Sequence, residues 1–208
     1  MNKKDIKLMS IFKDSKNDSI MIDSIVKIQN SINIYANSKV IAVATATTDI
    51  SLSVVARALA EVYAMQNQQT ILIDCNMYNP TLNNLFDKST IEIGLNNIKD
   101  EKLDTNKLIN HISKNFDAIF TSKASYPTEV FKSNQYINFI NSVKEHYEHI
   151  ILVMPELIEH QDILMNKDLI TATLLVARKN RVSKKDLFES IQTLEINNIP
   201  YVGTIYLK

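Results

Sequence analysis

The sequence predicts an α/β protein built on a doubly wound, mainly parallel sheet with helices on both faces. Three observations carry that expectation. Short runs such as Val40-Ile41-Ala42-Val43, Ile71-Leu72-Ile73 and Ile150-Ile151-Leu152-Val153-Met154 are apolar without interruption, as strands are when both sheet faces are covered. Segments between such runs carry apolar residues at helical spacing. Strand and helix patterns then alternate along most of the chain, which favours parallel pairing through helical crossovers.

In order, residues 1–18 are polar and lysine-rich and read as an N-terminal arm, with 19–208 as a single domain. Ile20, Ile22, Ile25, Ile28, Ile32 and Tyr35 recur at helical spacing behind Asp18 or Ser19 as cap. A strand over 40–45, a helix over 53–66 and a strand over 70–74 form one βαβ unit. Asn79-Pro80-Thr81 turns into a short helix, Leu82 to Phe86, and Gly94-Leu95 opens another near Asn96 to Ile98. Asp104 caps a helix expected to run through Ile112, and Phe116 to Phe120 reads as a strand. Pro127 begins a helical turn, and Asn134 to His146 carries Ile137, Ile140 and Val143 on one face, ahead of the strand at 150–154. Leu164 to Leu169 reads as helical, Ala172 to Val176 as a strand, Lys184 to Leu194 as a helix capped by Ser183, and Tyr201 to Tyr206 as the last strand.

Composition excludes several function classes. The chain of 208 residues has 23 basic and 23 acidic side chains, so no overall field draws it to nucleic acid or an anionic membrane. Lys179, Arg181, Lys184 and Lys185 make a small local basic patch, read first as solvated charge. The single cysteine, Cys75, rules out an intramolecular disulfide and fits packing at a strand end in a reducing cytoplasm. No apolar stretch has signal-peptide or membrane-spanning length, which predicts a cytoplasmic protein. His111, His146, His149 and His160 show no metal-ligand spacing beyond the 146/149 pair, so surface positions and no metal are expected. No serine, cysteine or histidine constellation suggests nucleophilic catalysis.

The chemistry-bearing stretch is Val40 to Ala64, a strand, a Thr/Asp/Ser loop and a helix. That arrangement houses the phosphate-binding pattern G-x-x-x-x-G-K-[ST], in which glycine amides wrap a phosphate, lysine meets the outer phosphates and the hydroxyl binds Mg²⁺. Laid on it, Asp49 and Ser51 stand at the glycines, Leu52 at the lysine and Ser53 at the hydroxyl. Only two glycines occur in the whole chain, Gly94 and Gly203, so the loop cannot owe its shape to glycine. Asp49 faces solvent or, on the sharper reading, lies over the helix amino end as a stand-in for phosphate. Ser53 caps the helix or retains a ligand role. Asp74, at a strand end, satisfies loop amides or survives as a catalytic remnant.

Together these pieces resemble the bacterial tyrosine kinases of capsule and exopolysaccharide synthesis (BY-kinases), a branch of the MinD and ParA type P-loop ATPases. The resemblance runs from about residue 20 to 208. It rests on Lys39 to Ala60, on Ile71 to Thr81 against the family's strand and D-x-D-x-R-x-P turn, on Leu85-Phe86 with Gly94-Leu95, on Tyr126-Pro127-Thr128-Glu129, and on Ile150 to Asp162. It implies a three-layer P-loop fold. The family's charged groups that manage Mg²⁺ and phosphate correspond to Leu52, Asp74, Asn76 and Val153, of which only Asp74 keeps its charge, joined by the Ser53 hydroxyl. The expectation is therefore a catalytically degenerate homologue without a cofactor, acting as a regulatory or scaffolding component. Its partner would be the cytoplasmic tail of a transmembrane adaptor or chain-length regulator (polysaccharide co-polymerase), or a kinase paralogue, holding it at the inner face of the membrane. The alternative is a weak Mg-ATP-dependent tyrosine kinase, and a MinD or ParA style positioning protein stands third. The family's ring-forming E-x-x-R-x-x-R helix maps to Asp23, Val26 and Gln29, which leaves a homo-oligomer open without the family's arginines. The family's tyrosine cluster would follow the last strand; the sequence ends at Lys208, so that cluster is expected to be missing.

Overall fold

The computed structural model describes residues 25–33, 39–49, 51–86 and 90–207. A seven-stranded sheet runs through them in the order β3-β4-β2-β5-β1-β6-β7. The strands are β1 (Val40–Thr45), β2 (Thr70–Asp74), β3 (Asn110–Ser113), β4 (Phe116–Ile119), β5 (His149–Val153), β6 (Ala172–Arg178) and β7 (Tyr201–Leu207). β1 sits centrally, parallel to β5 and to β6. Every pairing is parallel except that of β3 with β4, an antiparallel edge.

Helices cover both faces, and strand alternation shows how. From β1, Val40, Ala42 and Ala44 point into one core with Phe131, Tyr136, Ile140 and Val143, while Ile41 and Val43 point into the other with Ile25, Ile32, Val55 and Leu59. The first core belongs to α3 (Pro127–Phe131), α4 (Asn134–His146) and α5 (Lys184–Ile196), the second to α1 (25–33) and α2 (Ser51–Met65). Buried leucines such as Leu59 and Leu72 each contribute on the order of 1.5 to 3 kcal/mol relative to exposure. With glycine scarce, asparagine ends the helices: Asn67 after α2 and Asn198 after α5 have φ of 62° and 56°. The Ile199 amide then reaches back to the Leu194 carbonyl at 2.9 Å, closing α5.

The expected architecture holds and several boundaries move. Asp104 does cap, accepting from the Asn106 amide, but the helix it starts is one 3-10 turn, Thr105–Leu108. The residues expected to continue it form β3 instead, because the edge of β4 offers them ladder hydrogen bonds. Leu164 to Leu169 is replaced by a 3-10 turn over Asp162–Asn166. α2 begins at Ser51 rather than 53, and Ser183 caps α5 as expected, accepting from the Asp186 amide. The N-terminal arm, Asp18, Ser19 and Asp23 lie outside the described residues. Cys75 is fully buried in the first core.

Candidate functional site

The carboxyl ends of β1, β2 and β5 meet where neighbouring strands lead their connections to opposite faces, the place open α/β sheets use for ligands. Every residue of the phosphate-loop reading converges there, because α2 starts directly after β1 and the turn after β2 folds back over it.

Asp49 is half-buried, not solvent-facing. Its Oδ1 accepts from the Ser51 amide at 2.8 Å and its carbonyl from the Leu52 amide at 3.2 Å, so its carboxylate lies on the amino end of α2. Ser51 is buried, and its hydroxyl has no hydrogen-bond partner among the described residues. Leu52, at the lysine position, is 3% exposed and packs in the core between α2 and the sheet. Ser53 is fully buried and its hydroxyl shares a 2.6 Å hydrogen bond with that of Thr81. The loop between is tied down as well. Thr45 Oγ1 donates to the Thr47 carbonyl, and the amides of Leu157 and Ile158 donate to the carbonyls of Thr45 and Ala46 at 2.9 and 3.2 Å.

Asp74 ends β2, 1% exposed, and its two oxygens accept from the amides of Asn76 (3.0 Å) and Leu82 (3.4 Å). Burial pushes its carboxyl up to about 7, outweighing both backbone hydrogen bonds. Asn76 is buried and accepts from the Asn79 amide at 3.0 Å, so both side chains shape the turn they begin. Val153 is a core residue whose carbonyl accepts from the Cys75 amide, binding the ends of β5 and β2 together.

Other residues at this mouth escaped sequence reading. Thr48 Oγ1 donates to Glu156 Oε1 at 2.8 Å, and Glu156 is 3% exposed. Tyr78 and His160 stack at 3.5 Å, and Thr128 Oγ1 donates to the buried Asp162 at 2.9 Å. Nothing local signals these contacts, since Thr48 and Glu156 stand 108 residues apart. The histidines correct a further expectation. His111 and His146 are exposed, whereas His149 and His160 are half-buried and stacked on Tyr63 and Tyr78. The basic patch adjoins the site, with Thr47 Oγ1 donating to the Arg181 carbonyl at 3.4 Å.

Gln29, at a ring-helix position, is 1% exposed and forms a reciprocal amide pair with Gln66, at 2.6 and 2.9 Å. That side chain is spent on joining α1 to α2. Among the described residues no helix is long and apolar enough to cross a membrane.

No protein-family model matches the sequence. The chain is 27% identical over 170 residues to the tyrosine-protein kinase etk of Escherichia coli K12, matching 81% of this chain and 23% of that protein, so it spans under a quarter of that relative's length. It superposes on the kinase domain of Escherichia coli tyrosine kinase ETK with a TM-score of 0.81 and 25% identity, covering 89% of this chain and 74% of that one. The MinD cell division protein of Aquifex aeolicus shares the fold more distantly, with a TM-score of 0.64, 16% identity and coverage of 81% and 68%. The homologues of this chain are thus bacterial tyrosine kinases, and its mostly parallel sheet has the fold of their kinase domains and of MinD-type P-loop proteins.

Proposed function

We propose that this chain is a kinase-domain homologue that does not transfer phosphate and serves as a regulatory or scaffolding component of capsular or exopolysaccharide synthesis. One observation carries the reading: the Asp49 carboxylate lies on the Ser51 amide, at the helix amino end where a bound phosphate would be seated. A carboxylate about 5 Å from a phosphate opposes it by roughly 3 kcal/mol per unit charge at an effective dielectric of about 20.

The other residues do not fit a magnesium triphosphate either. Leu52 brings no charge to the outer phosphates and is held in the core. The Ser53 hydroxyl is engaged by Thr81, the Asp74 oxygens by loop amides, and Val153 offers no side-chain oxygen to a metal that demands near-octahedral oxygen ligation. The sheet and both helical layers persist around this altered mouth. On this reading the chain docks the cytoplasmic tail of a transmembrane adaptor or chain-length regulator, or a kinase paralogue, which would hold it at the inner membrane face.

A second reading, a weak ATP-dependent tyrosine kinase, draws on Ser53 and Asp74, which keep oxygen atoms at the family's positions. Calorimetric titration with Mg-ATP, followed by incubation with labelled ATP, separates the two. The scaffold reading expects no saturable binding up to millimolar nucleotide and no phosphotyrosine. Micromolar binding, or label on tyrosine that disappears in Asp74→Asn, would establish the kinase instead.

A further inference from the structure

The connection leaving β5 gathers three metal-binding side chains beside the altered loop. The His160 amide donates to the Glu156 carbonyl at 3.0 Å, and this single turn brings Glu156, Glu159 and His160 to one side. One ligand atom from each lies within 4.8 Å of the other two. The turn is anchored to the loop after β1 by the Leu157 and Ile158 amides and by Thr48, whose hydroxyl holds Glu156 Oε1.

Glu156 supplies an independent reason to expect a ligand. It is 3% exposed, and its second oxygen, Oε2, has no hydrogen-bond partner among the described residues. A buried carboxylate costs several kcal/mol unless it is paired and fully hydrogen-bonded. Among the described residues its ion-pair partner is His160, whose Nε2 stands 3.9 Å from Oε1, at the far limit of such a contact. Stacking on Tyr78, 3.5 Å away and 6° from parallel, sets the plane of that imidazole ring.

We propose that Glu156, Glu159 and His160 bind one divalent transition-metal ion of the zinc class. Two carboxylate oxygens and an imidazole nitrogen form a borderline donor set that suits Zn²⁺ with water at the open position, whereas Ca²⁺ and Mg²⁺ call for all-oxygen shells. Tetrahedral bonds of about 2.0 to 2.2 Å put ligand atoms roughly 3.3 Å apart, so the three must close by about 1.5 Å at most. Glu159 is exposed and the His160 side chain 22% exposed, which leaves them room to do so. The ion neutralises Glu156 and, through Thr48, fastens the β5 exit to the loop after β1. The site uses none of Leu52, Ser53, Asp74, Asn76 or Val153, and it does not depend on whether nucleotide binds.

The test is a titration of the full chain, stripped with chelator, against ZnCl₂ in competition with a chromogenic chelator. One zinc per chain at micromolar affinity or tighter is expected, with a rise in melting temperature. His160→Ala and Glu159→Gln each weaken binding by at least about tenfold; the change at the exposed Glu159 leaves the metal-free melting curve unchanged, whereas loss of the imidazole stacked on Tyr78 lowers it. Glu156→Gln abolishes binding; should that variant fail to fold, the other two variants still decide. His146→Ala, an exposed histidine on α4, leaves affinity unchanged. Absence of saturable binding below about 100 µM zinc overturns the proposal, as does wild-type affinity in His160→Ala or an equal loss in His146→Ala.

Discussion

At the scale of single residues, Asp74 makes stability depend on pH in an unusual direction for an aspartate. Burial lifts its carboxyl to about 7 in the folded chain, against about 4 when unfolded. Between those values the folded chain keeps a proton that the unfolded chain releases, so stability falls as pH rises through the window and stays lower above it. The displacement corresponds to roughly 4 kcal/mol. Asp74→Asn keeps an oxygen acceptor for the Asn76 amide and carries no charge, so it should raise the melting temperature at pH 8 clearly more than at pH 5. Equal differences at both pH values would mean that the carboxyl does not titrate there. Asp49 permits a second test. Asp49→Ala removes the acceptor of the Ser51 amide and should cost about 1 kcal/mol in urea unfolding, whereas Asp49→Asn, an equally good cap, should cost little. That Asp49 and Ser53 flank the start of α2 and that Asp74 ends β2 was legible in the sequence, because a strand, a loop and a helix start leave a local pattern. Glu156 was not, since its burial and its bond to Thr48 arise only when β1 and β5 pair.

At the scale of elements, α2 carries a buried charge pair across its packed face. Arg57 and Glu61 are 7% and 8% exposed and meet at 2.8 Å, while the guanidinium also lies over the Phe86 ring at 4.2 Å and donates to the Leu85 carbonyl. Desolvation raises the Glu61 carboxyl, and Arg57 opposes that rise. Arg57→Ala therefore strands a buried acid and should lose roughly 3 to 5 kcal/mol, whereas Arg57→Met combined with Glu61→Leu should fold much nearer to wild type. Chemical denaturation of both variants checks this, and a double variant as unstable as Arg57→Ala would show that the loss is not one of stranded charge. Charged residues four apart ordinarily mark an exposed helix face, so the sequence conceals this pair. β3 was hidden for the opposite reason. Asn110-His111-Ile112-Ser113 lacks the long apolar run that revealed β1, β2 and β5, and pairing with β4 decides its conformation where propensity is weak.

At the scale of the whole molecule, the inner parallel strands β1, β2, β5 and β6 were legible because they are buried on two faces and read as apolar runs, while β7, half-buried at the edge, was legible from its β-branched and aromatic residues. With the fold of P-loop proteins in place, nucleotide affinity becomes a property that melting of the entire chain can read. A ligand that binds only the folded state stabilises it by RT ln(1 + [L]/Kd), about 2.7 kcal/mol at one hundred times Kd. For a domain of this size each kcal/mol moves the melting temperature by roughly 2 to 4 °C. A kinase-like site with a Kd of about 50 µM would thus raise it by roughly 5 to 10 °C in about 5 mM Mg-ATP. The scaffold reading expects less than about 1 °C, the same as with magnesium alone. Asp49→Gly with Leu52→Lys removes a carboxylate from the mouth and places a lysine there, at the expense of an ammonium in a position now 3% exposed. That variant should melt lower than wild type without nucleotide and gain more from Mg-ATP than wild type does. If it melts with wild-type stability and the same nucleotide response, Asp49 and Leu52 are not what keeps triphosphate out.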